Sequence, residues 1–139
     1  MSGSNLNAYK KIIKLTESPR ETEARVLAQG AAKLNRCLEN WEEKGTRRML
    51  YDALIYNQKI WNIFHLELSR EDNQQPIDIR KNLLTLSVFI HKQIRSAMAD
   101  PSPEKLNSII NINMSIAQGL GMSTDKAEKT NASPAYNHN

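Results

Sequence analysis

Residues 18–45, SPRETEARVLAQGAAKLNRCLENWEEKG, decide the fold of this chain. They open on Ser18, Pro19 and Glu21, the order of a helix N-cap, a first helical residue that needs no N–H, and a capping-box carboxylate. The period of the apolar residues that follow is typical of an amphipathic helix that begins at Pro19 and leaves Glu23 mostly to water. Its apolar stripe consists of Ala24, Leu27, Ala31, Leu34, Leu38 and Trp41.

Three further segments repeat this helical period. We predict that Gly45 ends the first helix and that Thr46 caps the second. The polar run 69–75 separates the second helix from the third, and Ser102 with Pro103 opens the fourth. The three apolar stripes are Leu50, Leu54, Asn57, Trp61, Phe64 and Leu68, then Ile79, Leu83, Leu86, Ile90, Ile94 and Ala97, then Leu106, Ile109, Asn113, Ile116 and Leu120.

The spacing of the apolar residues and the residues that separate the segments predict an all-α fold. Val and Ile occur at helical spacing, and no Asn-Gly or Asp-Gly turn joins alternating apolar residues. Short breaks between successive helices favour a four-helix antiparallel bundle. We therefore divide the chain into an N-terminal segment at 1–18, a helical domain at 19–120, and a polar tail at 121–139 that we expect to be disordered.

The N-terminal segment contains a short amphipathic stretch. Within residues 5–15, Leu6, Tyr9 and Ile13 share one face of a possible fifth helix. Eleven residues form only a marginal helix in water, because nucleation is costly. This stretch therefore needs a surface on which to lie.

Composition and charge narrow the class of protein. The 139 residues carry a net charge of +4, spread along the chain, with only a weak group at Lys10, Lys11 and Lys14. A nucleic-acid-binding site usually gathers Lys and Arg on one face, so the spread of positive charge along this chain disfavours a nucleic-acid-binding protein. The sequence has no apolar run of membrane-spanning length, no signal peptide and a single cysteine, Cys37, so we expect a cytoplasmic protein.

The sequence contains no group of residues that would support catalysis. His65, His91 and His138 are isolated in the sequence, and no glycine pattern suits a nucleotide phosphate. No nucleophile stands beside a base, and no metal-ligand spacing is present. We predict a protein that is not an enzyme and that uses no cofactor, metal or small-molecule substrate.

Two amides interrupt the apolar stripes. Asn57 lies on the second helix near Trp61, and Asn113 lies on the fourth. A buried amide without a partner costs roughly 1–3 kcal/mol, so each needs a hydrogen bond. That bond either lies inside the bundle, where it sets helix register, or is made to a bound helix. Trp61 is likewise a core residue first and a binding anchor second.

Several short motifs, in this order along the chain, resemble the FlaF family of alphaproteobacterial flagellar proteins. The resemblance covers roughly residues 5–120 and leaves out only the polar tail. It depends on the order of the motifs, since none is specific alone. The motifs are Asn7-Ala8-Tyr9, Ser18-Pro19-Arg20-Glu21, Tyr56-Asn57, Ile60-Trp61, Phe64, Ile79-Arg80, Asn82-Leu83-Leu84, Phe89-Ile90, Ile112-Asn113, Ile116-Ala117 and Gly119-Leu120.

The resemblance implies a non-enzymatic factor for flagellin production and filament assembly that acts with the regulator FlbT. It also implies direct binding of flagellin, as an export chaperone does. From the residues we add a candidate helix-binding surface, formed by Leu84, Val88 and Phe89 of the third helix, which carries apolar residues outside its stripe. Tyr9 and Ile13 of the N-terminal segment would serve as a movable cover.

Two other interpretations remain open from the sequence. The first is a post-transcriptional regulator that binds flagellin mRNA, which the spread-out charge disfavours. The second is an adaptor that binds FlbT and makes no contact with flagellin. Exposed apolar surface would also permit self-association.

Overall fold

The computed structural model describes residues 18–121, which form four helices and no strand. The predicted N-terminal helix and the predicted disordered tail lie outside these residues. The all-α prediction is therefore confirmed for the described part of the chain. The helices are α1 (Pro19–Glu39), α2 (Thr46–Ser69), α3 (Ile77–Ala99) and α4 (Pro103–Gly119).

Two helices begin where their capping residues predict. The Ser18 hydroxyl accepts a hydrogen bond from the Glu21 backbone N–H at 3.1 Å, and the Glu21 carboxylate accepts one from the Ser18 N–H at 3.0 Å. This reciprocal pair is a complete capping box, with Pro19 in the first helical position. At α4, the Ser102 hydroxyl accepts from the Lys105 N–H at 3.4 Å.

The prediction that α1 runs to Gly45 is wrong, because the helix ends at Glu39. The Asn40 side-chain amide donates to the Arg36 carbonyl at 2.8 Å, so the side chain binds the end of its own helix. Gly45 follows in the left-handed conformation, with φ of 87°, and occupies the N-cap of α2. Thr46 is accordingly the first residue of α2 and not its cap, and its hydroxyl donates to the Asn40 carbonyl.

The four helices form an antiparallel ring. Each helix packs beside the next in the chain, and α1 also packs against α4. The antiparallel direction of α1 and α4 is shown by one hydrogen bond. Arg20 Nη2 donates to the Gly119 carbonyl at 3.3 Å and so joins the start of α1 to the end of α4. His65 of α2 contacts Ser87 of α3 at 3.0 Å, between Nδ1 and Oγ. The short connections predict this arrangement, because they leave each helix beside its predecessor.

The core follows the predicted stripes except at Ile79, which was placed on the stripe of the third helix but is 47% exposed near the start of α3. It is built from aliphatic side chains of all four helices with Trp61 as its largest member, and Cys37 is buried in it. Buried side chains of this kind supply most of the favourable free energy of folding. The fully buried large side chains include Leu27, Leu34, Leu54, Ile90, Ile94, Leu106 and Ile109.

Two buried amides lie at the centre of this core and bind each other. Asn113 Nδ2 donates to Asn57 Oδ1 at 2.7 Å and to the Leu27 carbonyl at 3.1 Å. Asn57 Nδ2 donates to the Gly30 carbonyl at 3.1 Å, and the Trp61 indole N–H donates to Asn113 Oδ1 at 2.9 Å. Among the described residues, no buried side-chain nitrogen or oxygen is left without a partner. The network links α1, α2 and α4.

The network requires a glycine on α1. A Cβ atom at Gly30 would lie 2.4 Å from Asn57 Oδ1 and 2.9 Å from Asn113 Nδ2, closer than real Cβ contacts allow. Both neighbouring atoms belong to hydrogen-bonded amides that cannot rotate away without losing a partner. The buried residue 30 must therefore be a glycine, because the two amides occupy the space that a side chain would need.

We expect Gly30→Ala to lower the free energy of unfolding by about 1–3 kcal/mol, the usual cost of overpacking a core. The matched control is Gly119→Ala, since a Cβ at Gly119 meets nothing within 4 Å. Chemical denaturation of both variants measures the difference. Equal stability of the two variants would contradict this account of Gly30.

Candidate functional site

The exposed apolar side chains are confined to half of the bundle. Among residues 18–121, all the large apolar side chains that are exposed belong to α2 and α3, and none belongs to α1 or α4. Where such side chains lie together on a small protein, they commonly mark an interaction site. The eight side chains are Met49, Tyr51, Ile63, Leu66, Ile77, Ile79, Val88 and Phe89.

A shallow groove runs between α2 and α3 on their outer side. Two of the exposed apolar residues, Leu66 of α2 and Val88 of α3, contribute to its walls, and they are 67% and 48% exposed. Its polar members include amides, imidazoles and one guanidinium, without any carboxylate. We call it the outer groove, and it is lined by Gln58, Asn62, His65, Leu66, Val88, His91 and Arg95.

The candidate residues on α3 divide between different environments. Val88 is exposed and lines the outer groove, whereas Leu84 is half-buried. Phe89 is 44% exposed but is not among the residues that line the groove. Sequence reasoning missed Leu66, although an apolar residue outside the α2 stripe was a usable signal. The two other candidates, Tyr9 and Ile13, lie outside the described residues.

The two central histidines, which are isolated in the sequence, are brought together by the fold. The ring centroids of His65 and His91 are 6.2 Å apart, at an interplanar angle of 70°. Burial, the charge of His65 and the charge of Arg95 lower the pKa of His91, while a hydrogen bond with the backbone of Trp61 raises it. In the range 18–121, no group of three His, Cys, Asp or Glu side chains could hold a metal ion.

The lowered pKa of His91 makes stability depend on pH. The unfolded chain takes up this proton first as the pH falls, so stability decreases from about pH 6.5 downward, the ordinary range of histidine. We expect the melting temperature to fall less in His91→Gln than in the parent between about pH 7.5 and about pH 5.5. Thermal unfolding at both pH values tests this, with His138→Gln as the control that behaves like the parent. An identical fall in His91→Gln would show that His91 does not contribute.

A second concavity lies at the end of the bundle where α1 begins and α4 ends. Its volume is about 80 Å³, several times the roughly 10–15 Å³ that one water molecule occupies. Its walls are mainly apolar and come from α2, α3 and α4, whereas its polar residues include two carboxylates and two amides. We call it the end pocket, and it is lined by Glu23, Trp61, Phe64, Glu67, Leu68, Asn73, Gln75, Leu83, Ile116 and Leu120.

The turn between α2 and α3 is held in place beside the end pocket. The Arg80 guanidinium donates to the Leu68 and Arg70 carbonyls, each at 2.6 Å, and so binds carbonyls at the end of α2. Asn73 Nδ2 donates to the Glu67 carbonyl at 2.9 Å, and Asn73 Oδ1 accepts from the Gln75 N–H at 3.0 Å. These bonds position the two pocket amides.

The expectation that Glu23 faces water is wrong, because its side chain is half-buried in the end pocket. Burial raises the pKa of the Glu23 carboxyl, the nearby charge of Glu67 raises it further, and Arg20 lowers it. The end pocket therefore holds two carboxylates that repel each other, and no Lys or Arg lines it. The helical period of α1 could not predict the burial of Glu23 beside Glu67, because it gives no information on how α2 packs against α1.

No helix within residues 18–121 combines the length and the apolar character needed to cross a membrane. The described part of the chain is thus a small four-helix bundle whose exposed large apolar side chains lie on the hairpin of α2 and α3. Residues 5–120 match the family model described as Flagellar protein FlaF. The chain therefore belongs to the FlaF family of flagellar proteins. Neither a curated protein nor a solved structure matches it.

Proposed function

We propose that this protein is a cytoplasmic factor that promotes flagellin synthesis and filament assembly by binding flagellin as an export chaperone. The observation that carries the proposal is the confinement of the exposed apolar side chains to α2 and α3, in a member of a flagellar family. Flagellin has amphipathic terminal helices, and a groove between two helices suits such a ligand. The outer groove is the surface we assign to it.

The outer groove offers an apolar centre with polar flanks. Leu66 and Val88 supply the apolar contact from opposite walls. The amides of Gln58 and Asn62 and the guanidinium of Arg95 supply hydrogen-bond donors around it. A few such anchors commonly contribute most of the affinity of an interface.

The α3 residues outside the groove lining extend the proposed surface. Leu84 precedes Val88 by one helical turn and is half-buried, so its contribution to binding is smaller than that of Val88. Phe89 is exposed and adjacent in sequence.

Two other partners, FlbT and flagellin mRNA, are the alternatives to direct flagellin binding. FlbT, the regulator that acts with this family, would occupy the same apolar surface if the protein were an adaptor. Flagellin mRNA would instead require several phosphate contacts, and its binding would weaken steeply with salt. We expect the partner to be protein, with a shallow salt response.

The test is size-exclusion chromatography with light scattering, using the full chain mixed with monomeric flagellin and with flagellin that lacks its terminal helices. We expect a stoichiometric complex with the first and none with the second. Leu66→Asp with Val88→Asp should weaken the complex at least about tenfold, because a charge enters the apolar contact and costs more than about 1.4 kcal/mol.

The matched control is Met49→Asp with Tyr51→Asp, which places the same charges on exposed apolar positions of α2 away from the outer groove. This control should bind like the parent. Absence of any complex with flagellin would contradict the chaperone function and leave FlbT and mRNA to be tested. Equal weakening by both variants would contradict the assignment to the outer groove, and Phe89→Asp tests Phe89 separately.

A further inference from the structure

The end pocket is not used by the proposed function, and it lies where the described chain begins. Arg20 Nη2 donates to the Gly119 carbonyl, so the first turn of α1 lies beside the last turn of α4. Glu23 lines the pocket from α1, and Ile116 and Leu120 line it from α4. The seventeen residues that precede Ser18 therefore join the bundle close to this pocket.

The preceding chain is long enough to reach it. Ser18 and Glu23 are separated by five residues of helix, about 8 Å along the axis at about 1.5 Å per residue. Five residues also separate Ile13 from Ser18, and an extended chain of that length spans up to roughly 17 Å. Residues 5–15 can consequently return over the pocket without any change in α1.

The chemistry of that stretch complements the pocket. In a helix, Leu6, Tyr9 and Ile13 share one face, and Lys10 and Lys14 flank that face at a spacing of four. It contains three lysines and no acidic residue. The pocket presents apolar walls together with Glu23 and Glu67, without a basic residue in its lining.

The two carboxylates also favour a neighbouring cation. Burial and the charge of Glu67 raise the pKa of Glu23, while Arg20 lowers it, so burial and the second carboxylate both act against the charged form of Glu23. A lysine ammonium beside the pair would offset both effects. Trp61 and Phe64, packed edge to face with ring centroids 5.8 Å apart, provide apolar area for an aliphatic side chain in the pocket.

We propose that residues 5–15 dock over the end pocket of the same chain as a short amphipathic helix, with Ile13 in the pocket and Lys10 and Lys14 beside Glu23 and Glu67. The surface that this marginal helix needs is then supplied by the bundle itself. This placement replaces the cover over α3 as the role of Tyr9 and Ile13. The family match begins at residue 5 and so includes this stretch.

Docking goes beyond flagellin binding, since the end pocket and the outer groove share no residue. The docked stretch would cover the pocket-facing side of Trp61, whose indole N–H binds Asn113. It would therefore protect the buried amide network from water at this end of the bundle. Loss of docking should leave flagellin binding at the outer groove intact. A failure of the docking proposal can therefore be told apart from a failure of the proposed flagellin binding.

The test is hydrogen–deuterium exchange of the full-length chain, followed by mass spectrometry over residues 5–15. We expect backbone amides there to exchange at least about tenfold more slowly than in an unstructured chain. The amides of α1 to α4 report in the same experiment whether each variant is folded. Exchange of residues 5–15 at the unstructured rate would overturn the proposal.

Charge reversal separates docking from local helix formation. Glu23→Lys with Glu67→Lys should remove the protection, and so should Lys10→Glu with Lys14→Glu, which changes no residue of the bundle. Combining all four substitutions restores opposite charges at the same net charge and should restore the protection. Protection that persists in both reversed variants would overturn the assignment to the end pocket.

Two matched controls keep net charge from explaining the result. Glu42→Lys with Glu43→Lys makes the same change of charge at exposed positions after α1, away from the end pocket, and should leave the protection unchanged. Lys11→Glu, which lies off the apolar face, should have little effect. Protection that rises with protein concentration would overturn docking within one chain and assign the pocket to a second copy.

Discussion

The hydrogen bond between Asn57 and Asn113 is the constraint on which the arrangement of the helices depends. Each amide also binds a backbone carbonyl of α1, so three helices must meet in one register for both amides to be satisfied. A slip of one residue along any of them would leave a buried amide unpaired, at a cost of roughly 1–3 kcal/mol. The close approach of α1 that this register demands is possible because residue 30 is glycine.

The fourth helix of the ring is held differently. α3 takes no part in the amide network, and its polar contacts to α2 include the His65–Ser87 hydrogen bond, the bond between His91 and the Trp61 backbone, and the bonds from Arg80 to the end of α2. It also carries half of the exposed large apolar side chains of residues 18–121, and α2 carries the other half. Within residues 18–121, the amide network thus sets the register of α1, α2 and α4, whereas the exposed large apolar side chains lie on α2 and α3.

The helices could be located from local signals in the chain, whereas the lining of the surfaces depends on how the helices pack. Capping residues identified the starts of α1 and α4, because the side-chain bonds of a capping box are local. The end of α1 was misplaced because the Asn40 side chain competes for the last carbonyls, an interaction that apolar period does not report. Leu66 was overlooked as a groove residue, since its exposure depends on how α3 packs beside α2.

The helices and most of the residues that they bury follow from local order along the chain, because period and capping act within a few residues of each other. It also showed that Asn57 and Asn113 need partners, since burial of an amide has a cost wherever it occurs. Helix packing, in contrast, makes the two amides partners to each other, brings His65 beside His91, and places Glu23 in one pocket with Glu67. These pairs are far apart in the chain, and the distance between such residues is set by how the helices pack, which no local pattern encodes.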